Sequence, residues 1–281
     1  MRITVAKHAG YCYGVNRALK LAHEATEDSA KPIYTLGPII HNPQVVESLM
    51  RQGVNAVQSV SEVDEGTIII RTHGVDPKIT QAAKSKGLKV IDATCPFVAK
   101  AQQRAANLVK NGHNVVIVGE RNHPEVAGLL AYTNNKAIVI ESAQELDSLS
   151  VMERIGVVVQ TTQSLENLAS IAKGLLNKTK ELTIFNTICS ATSQRQVTAA
   201  KLAGAVDLML VVGGKNSANT TRLAKICREK NEKTFHIETA SEVDKSWLKN
   251  AEHIGLTTGA STPDWILKEV ADRLRSFIIP R

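Results

Sequence analysis

The sequence is poor in aromatic residues, which make up 4% of its 281 positions. Proteins that grip single-stranded nucleic acid stack bases on exposed rings, so this scarcity argues against that class of partner. A formal charge of +7 does not reverse the conclusion, because lysine and arginine are spread along the whole chain rather than gathered into a stripe. No apolar run approaches the roughly 20 residues that cross a bilayer. The first residues enter a strand pattern at Ile3-Thr-Val5 with no apolar signal core, which leads to the expectation of a cytoplasmic protein without a membrane partner. There are four cysteines and no Cys-x-x-Cys pair among them. Local zinc modules are therefore excluded, and disulfides are not expected in a reducing compartment. Neither a Gly-x-Gly-x-x-Gly fingerprint nor a Walker loop occurs, so the chain has no evident nucleotide cofactor of its own. Low-complexity segments and linkers are absent too.

Three of the four cysteines open segments of the same kind. Cys12, Cys95 and Cys189 are each followed by an amphipathic helix pattern, a short apolar strand and a glycine-led polar loop. The loops read Gly37-Pro-Ile-Ile-His41-Asn-Pro, Gly119-Glu-Arg-Asn-His123-Pro-Glu125 and Gly213-Gly-Lys-Asn-Ser217-Ala-Asn219, and each glycine follows its cysteine at the same interval to within one residue. The fourth position beyond the glycine is His41, His123 or Ser217. A looser second half of each unit carries a glycine, a strand and another polar loop, ending at His73, Thr161-Thr162 and Ser261. Helix and strand patterns alternate throughout, which predicts an α/β fold of three similar lobes, with boundaries giving 1–94, 95–187 and 188–281. Helices are predicted near 15–27, from Pro96 to just before Gly112, and over about 192–203, with further helices starting near Pro77, Ser164 and Pro263. Ligands of parallel α/β sheets bind beyond the carboxyl ends of strands, where all six polar loops fall.

Three thiolates brought to one place would suit zinc or an iron–sulfur cluster, and three ligands on a four-iron cluster leave one iron open. Buried structural thiols are the plainer alternative. Cys227 lies inside a helix pattern, outside the repeat, and reads as a packing residue. His41, His73, His123, Ser217, Asn219 and Ser261 supply imidazole, hydroxyl and amide groups fit for a phosphate. Glu125 follows His123 by two residues across Pro124. An extended backbone there would turn both side chains to one side, and a desolvated carboxyl would act as an acid near neutral pH. The competing reading is a helix-start carboxylate that complements the dipole.

Taken together, several stretches resemble the 4-hydroxy-3-methylbut-2-enyl diphosphate reductases. They are Ala9-Gly-Tyr-Cys-Tyr-Gly-Val-Asn-Arg17, Gly37-Pro-Ile-Ile-His-Asn42, Thr72-His-Gly-Val75, Asp92-Ala-Thr-Cys-Pro96, His123-Pro-Glu-Val126, Gln160-Thr-Thr162, Thr187-Ile-Cys189, Lys215-Asn-Ser217 and Gly259-Ala-Ser261. They span essentially the whole chain. The resemblance implies a pseudo-threefold trefoil of three lobes around a central [4Fe-4S] cluster, held by Cys12, Cys95 and Cys189 with one open iron. It implies diphosphate binding by His41, His73, His123, Ser217, Asn219 and Ser261. Glu125 stands as proton donor, and Thr161 as the hydroxyl that holds the substrate alcohol and relays the proton. The reaction implied is reductive dehydroxylation to isopentenyl and dimethylallyl diphosphate, fed by a ferredoxin or flavodoxin. Ala218 departs from the serine common in the phosphate loop, and Gly128-Leu129 and Thr262 also depart. Two other functions fit part of the pattern: a three-lobed dehydratase resembling quinolinate synthase, and an iron–sulfur carrier without a substrate. The first would favour arginines for its dicarboxylate, where these loops offer histidine, serine and asparagine. The second normally uses four protein ligands and has no use for an acid.

Overall fold

The structure is a computed structural model that describes residues 2–278; the outer limits of the first and last expected lobes, at 1 and 281, lie outside those residues. A lone strand, β1 (Arg2–Val5), comes first. The first group is α1 (Tyr13–Asp28), β2 (Ile33–Leu36), α2 (Pro43–Arg51), β3 (Val54–Val57), β4 (Thr67–Ile70), α3 (Pro77–Ser85) and β5 (Lys89–Asp92). The second is α4 (Pro96–Lys110), β6 (Asn114–Val118), α5 (Pro124–Tyr132), β7 (Ile138–Ile140), β8 (Met152–Val159), α6 (Leu165–Leu175) and β9 (Thr179–Ile184). The third is α7 (Ser190–Ala203), β10 (Leu208–Val212), α8 (Ala218–Lys230), β11 (Thr234–Ile237), β12 (His253–Thr258) and α9 (Asp264–Ile278).

These strands make three four-stranded sheets, all parallel, with one shared order: β3-β2-β4-β5, β7-β6-β8-β9 and β11-β10-β12-β1. The α/β class and the three similar sheets are as the sequence repeat leads one to expect. One strand falls elsewhere. The stretch at 2–5, inside the 1–94 span, pairs with β12 in the third sheet, in the register Arg2↔His253 to Val5↔Leu256. It fills the edge position that β5 and β9 fill in the other two. Each of these edge strands runs toward a cysteine, so the repeat in space is offset from the repeat counted from cysteine to cysteine.

The chain divides into two compact units. The larger, residues 14–40 and 44–189, holds the first two sheets; the smaller, drawn from 2–13, 41–43 and 190–278, holds the third. In the larger unit β6 reads Asn114-Val-Val-Ile-Val118, with its four apolar residues buried, as expected of a parallel strand covered on both faces. The two-residue period divides it. Val116 and Val118 pack with Ile155, Val157, Val159 and, from α6, Leu168, Ile171 and Leu175. Val115 and Ile117 pack instead with Ala101, Ala105 and Leu108 of α4 and Val126 and Leu129 of α5. The smaller unit repeats the scheme. Leu208, Leu210 and Val212 meet Ile266, Val270 and Leu274 of α9, while Met209 and Val211 meet Ala199, Leu223 and Cys227 of α7 and α8. Each fully buried branched side chain contributes roughly 1.5–3 kcal/mol to holding these layers.

Helix starts follow local chemistry. Pro77, Pro96 and Pro124 occupy first-turn positions, where a missing N–H costs nothing, behind Asp76, Cys95 and His123. A further repeat lies beyond β3, β7 and β11, the edge strand that opens the order of each sheet. Ser59–Glu62, Ser142–Glu145 and Thr239–Glu242 are capping boxes that start short 3₁₀ turns. No helix among the described residues is long and apolar enough to cross a membrane.

Candidate active site

In the larger unit, candidate site residues lie on the loops beyond β4, β6 and β8. Beyond β4, the Thr72 hydroxyl donates to Ile39 O at 3.0 Å, tying this loop to the one beyond β2. The Cys95 amide donates to Thr72 O at 2.9 Å. Cys95 stands at the N-cap of α4, and its side chain makes no capping bond there. His73 meets His123 edge to face, with ring centroids 5.4 Å apart.

Beyond β6, Pro124 starts α5 directly, so Glu125 is the second residue of a helix rather than part of the extended segment expected from the sequence. The extension stops at His123, whose φ of −78° and ψ of 137° are those of an N-cap. Proline restrains the residue before it but is itself a good first helical residue, and that decides the difference. His123 and Glu125 still converge, by another route: the Glu125 amide donates to His123 Nδ1 at 3.1 Å. That bond makes Nδ1 an acceptor and leaves the proton of the neutral ring on Nε2.

Glu125 is 1% exposed. Thr161, beyond β8, gives it two hydrogen bonds. The Thr161 amide donates to Oε1 at 2.6 Å and the Thr161 hydroxyl to Oε2 at 2.8 Å. Burial nonetheless dominates. Loss of water pushes the carboxyl up to about 7, against the downward pull of both Thr161 bonds and with a smaller push from Glu120. The Cys189 amide in turn donates to Thr161 O at 3.0 Å. A carboxyl poised near neutrality is thus two bonded residues from a candidate metal-binding thiol. Helix-start placement and acid character, alternatives at the level of sequence, are both present.

In the smaller unit, Ser217 caps α8, its hydroxyl accepting from Thr220 N at 3.4 Å. Asn219, in the first turn, is 6% exposed, and its Nδ2 has no hydrogen-bond partner among the described residues. A buried amide donor without an acceptor at a helix start is an arrangement that an anion would complete. The loop below it is held by Glu238 Oε1, which accepts from the Lys215 amide at 2.6 Å. The Ser261 hydroxyl donates to His41 O at 3.1 Å. The neighbouring Gly259 has no room for a side chain, because a Cβ there would fall on the Thr220 hydroxyl. Cys12 is fixed as the other two cysteines are, its amide donating to Ala260 O at 3.2 Å.

A single rule therefore covers all three cysteines. Each immediately precedes a helix, and each donates its amide to the second residue beyond a central strand, namely Thr72 after β4, Thr161 after β8 and Ala260 after β12. All three are half-buried and free of disulfides. Cys227 differs. It is fully buried on α8, with its thiol pushed up to about 12 by loss of water, which keeps it protonated and suits packing rather than ligation. Two arginines escape notice in the sequence. Arg17 on α1 donates to Thr94 O at 3.1 Å and Asp92 O at 3.2 Å, and Arg195 on α7 donates to Gly10 O at 2.9 Å and Thr258 O at 3.0 Å. Their common sign is their place, five and six residues beyond a repeat cysteine.

Parallel sheets, thiols at helix starts and a buried acid paired with a hydroxyl define an α/β enzyme framework suited to a thiolate-held metal centre. The chain belongs to the LytB protein family, which matches residues 3–275. It is 52% identical over 278 residues to the 4-hydroxy-3-methylbut-2-enyl diphosphate reductase of Geobacter sp. (strain M21), covering 99% of this chain and 98% of that one. It is 50% identical over 274 residues to the enzyme of the same name from Pelobacter propionicus, covering 98% of each. Among solved structures, one of (E)-4-hydroxy-3-methyl-but-2-enyl diphosphate reductase, the terminal enzyme of the non-mevalonate pathway, matches at 46% identity with a TM-score of 0.72. It covers 98% of this chain and 100% of that one. The E-1-hydroxy-2-methyl-but-2-enyl-4-diphosphate reductase of Plasmodium falciparum matches at 30% identity with a TM-score of 0.92, over 96% of this chain and 87% of that one.

Proposed function

We propose that this chain is a 4-hydroxy-3-methylbut-2-enyl diphosphate reductase. It replaces the allylic hydroxyl of its substrate by hydrogen, giving isopentenyl diphosphate and dimethylallyl diphosphate. The observation that carries the reading is the Glu125–Thr161 pair, a buried carboxyl near neutrality whose partner residue is bonded to the Cys189 backbone.

The stoichiometry assigns the protein its tasks. One C–O bond breaks and one C–H bond forms, two electrons and two protons are consumed, and water leaves. Hydroxide departs poorly, so a proton must reach the oxygen as the bond breaks. Glu125 supplies it, and the Thr161 hydroxyl, 2.8 Å from Oε2, holds the substrate oxygen and carries the proton across. A carboxyl titrating near the working pH is suited to that transfer. His41, His73, His123, Ser217, Asn219 and Ser261 bind the diphosphate, Asn219 through an Nδ2 that is buried without a partner among the described residues.

Cys12, Cys95 and Cys189 would hold a [4Fe-4S] cluster through three thiolates, and their sulfurs fit that role, being half-buried and unbridged. Such a cluster supplies single electrons and, at its fourth iron, Lewis acidity toward oxygen. The electrons come from a separate ferredoxin or flavodoxin, to which a chain of charge +7 is complementary. The loops at the ends of the three parallel sheets supply the site's residues, and the protein works in the cytoplasm.

The test is anaerobic reconstitution with iron and sulfide, followed by turnover with a viologen reductant. Substrate loss and both products are measured by mass spectrometry. Protein that takes up four irons and leaves the diphosphate untouched would overturn the proposal.

A further inference from the structure

The three helices that follow the repeat cysteines share a second property. Each carries an arginine on the segment leading into a different repeat cysteine. Arg17 on α1 holds the carbonyls of Asp92 and Thr94, just before Cys95. Arg104 on α4 lies over the Phe185 ring at 4.6 Å, on the approach to Cys189. Arg195 on α7 holds the carbonyl of Gly10, two residues before Cys12. Of the three, Arg195 alone is buried, at 2% exposure, while the others are half-buried.

Arg195 also does more than the other two. Its Nη1 donates to Thr258 O at 3.0 Å and its Nη2 to Gly10 O at 2.9 Å. Thr258 is the last residue of β12, and its hydroxyl accepts from the Gly10 amide at 2.6 Å. Two residues further along each strand of chain, the Cys12 amide donates to Ala260 O. One guanidinium therefore clamps the two backbone segments whose next contact fixes Cys12. The planar fork spans both carbonyls at once, which an ammonium cannot do. Thr198, one turn further along α7, adds a bond from its hydroxyl to Lys7 O at 2.8 Å.

We infer that Arg195 is a positioning residue for Cys12, fixing this one thiol for metal binding from within the smaller unit. The inference rests on the proposed iron–sulfur reading for its purpose and on the clamp for its geometry. Loss of the fork frees the Cys12 segment and leaves the segments of Cys95 and Cys189 as they are, because those are anchored to Thr72 and Thr161.

The experiment compares wild type, Arg195→Lys and Arg195→Gln as full-length chains. In metal-free protein, alkylation of each cysteine is followed separately by peptide mass spectrometry. Cys12 labelling is expected to accelerate about tenfold or more in Arg195→Gln, the loss of one charge-assisted hydrogen bond, with Cys95 and Cys189 unchanged. Arg195→Lys, able to reach one carbonyl, should fall between the two. In reconstituted protein, iron release to a chelator should follow the same order, and the reduction potential should shift downward in Arg195→Gln but little in Arg195→Lys. Unchanged Cys12 labelling, or equal acceleration at all three cysteines, overturns the inference. Should Arg195→Gln fail to fold, judged by circular dichroism, Arg195→Lys decides alone: wild-type labelling of Cys12 refutes the clamp. Wild-type protein that binds no iron would instead sink the iron–sulfur reading, an outcome visible without any variant.

Discussion

The Thr161 hydroxyl lies 2.8 Å from Glu125 Oε2 while the Thr161 amide lies 2.6 Å from Oε1, so one residue satisfies both oxygens of a carboxyl that water does not reach. Both bonds favour the ionised form, yet burial raises the group to about 7. A raised carboxyl stabilises the fold fully below its unfolded value near 4.5, and that contribution is lost as pH rises through 7. Glu125→Gln should keep the fold, since the amide preserves the shape, and should remove this dependence. The melting temperature of wild type relative to Glu125→Gln should fall between pH 5 and pH 8. Turnover in Glu125→Gln should drop by about 10²–10⁴-fold, the usual contribution of a general acid. Parallel melting curves at both pH values would refute the buried-acid assignment.

Thr161→Val removes the hydroxyl bond and keeps the amide bond. Since the hydroxyl lowers the Glu125 value, its loss should raise it further. The alkaline limb of the turnover profile should move upward in Thr161→Val while the rate itself falls. Thr161→Ser should restore both. A pH profile for each variant decides the matter; an unmoved limb in Thr161→Val would show that the hydroxyl has no part in tuning the acid.

Replacing Cys12, Cys95 or Cys189 by serine should each strip most iron from reconstituted protein and abolish turnover. Cys227→Ala should leave iron and rate near wild type and cost about 1–2 kcal/mol of stability, because it leaves a small void beside Leu223 and Met209. Iron assays with chemical denaturation measure both quantities. Iron loss on replacing Cys227, with retention on replacing Cys95, would reverse the ligand assignment.

Asn219→Ala should weaken diphosphate binding by about 10- to 150-fold, the range for one hydrogen bond to a charged group. The same change should not destabilise the free protein, because the Nδ2 it removes is buried without a partner among the described residues. Ser217→Ala should weaken binding too, and should also cost about 1 kcal/mol of stability as a lost helix cap. Calorimetric titration with the diphosphate and with its dephosphorylated alcohol separates the effects. Equal affinity for the two ligands in wild type would rule out the pocket.

The α/β class was readable because strands such as Leu208-Met-Leu-Val-Val212 are apolar throughout and helices carry clear stops and starts. Pro96, Ser164 and Pro77 sit where the pattern placed them. The cysteine repeat was readable because its spacing survives divergence. Strand partners were not. Ile3-Thr-Val5 reads as a strand, but nothing local tells that its neighbour is β12, since parallel pairing is chosen by the packed sheet. Glu125 was found with the wrong backbone, because Pro124 both ends an extension and begins a helix. Arg17 and Arg195 act through backbone carbonyls, so their one mark on the sequence is a similar distance from a repeat cysteine. The capping boxes at Ser59, Ser142 and Thr239 were a legible signal of the threefold order that composition and cysteine spacing alone pass over.

The place of β1 beside β12 sets a timetable for the chain during synthesis. Strand β1 leaves the ribosome some 250 residues ahead of its partner, His253 to Thr258. At about 5–20 residues per second that interval is roughly 10–50 s, and throughout it β1 has no sheet to join. Cys12, whose amide waits for Ala260 and whose approach waits for Arg195, is loose for the same interval. Cys95 and Cys189 face no such delay, because Thr72 and Thr161 precede them in the chain. Two of the three proposed metal-binding thiols are therefore set while the protein is being made, and the oldest of the three is the last to be ready.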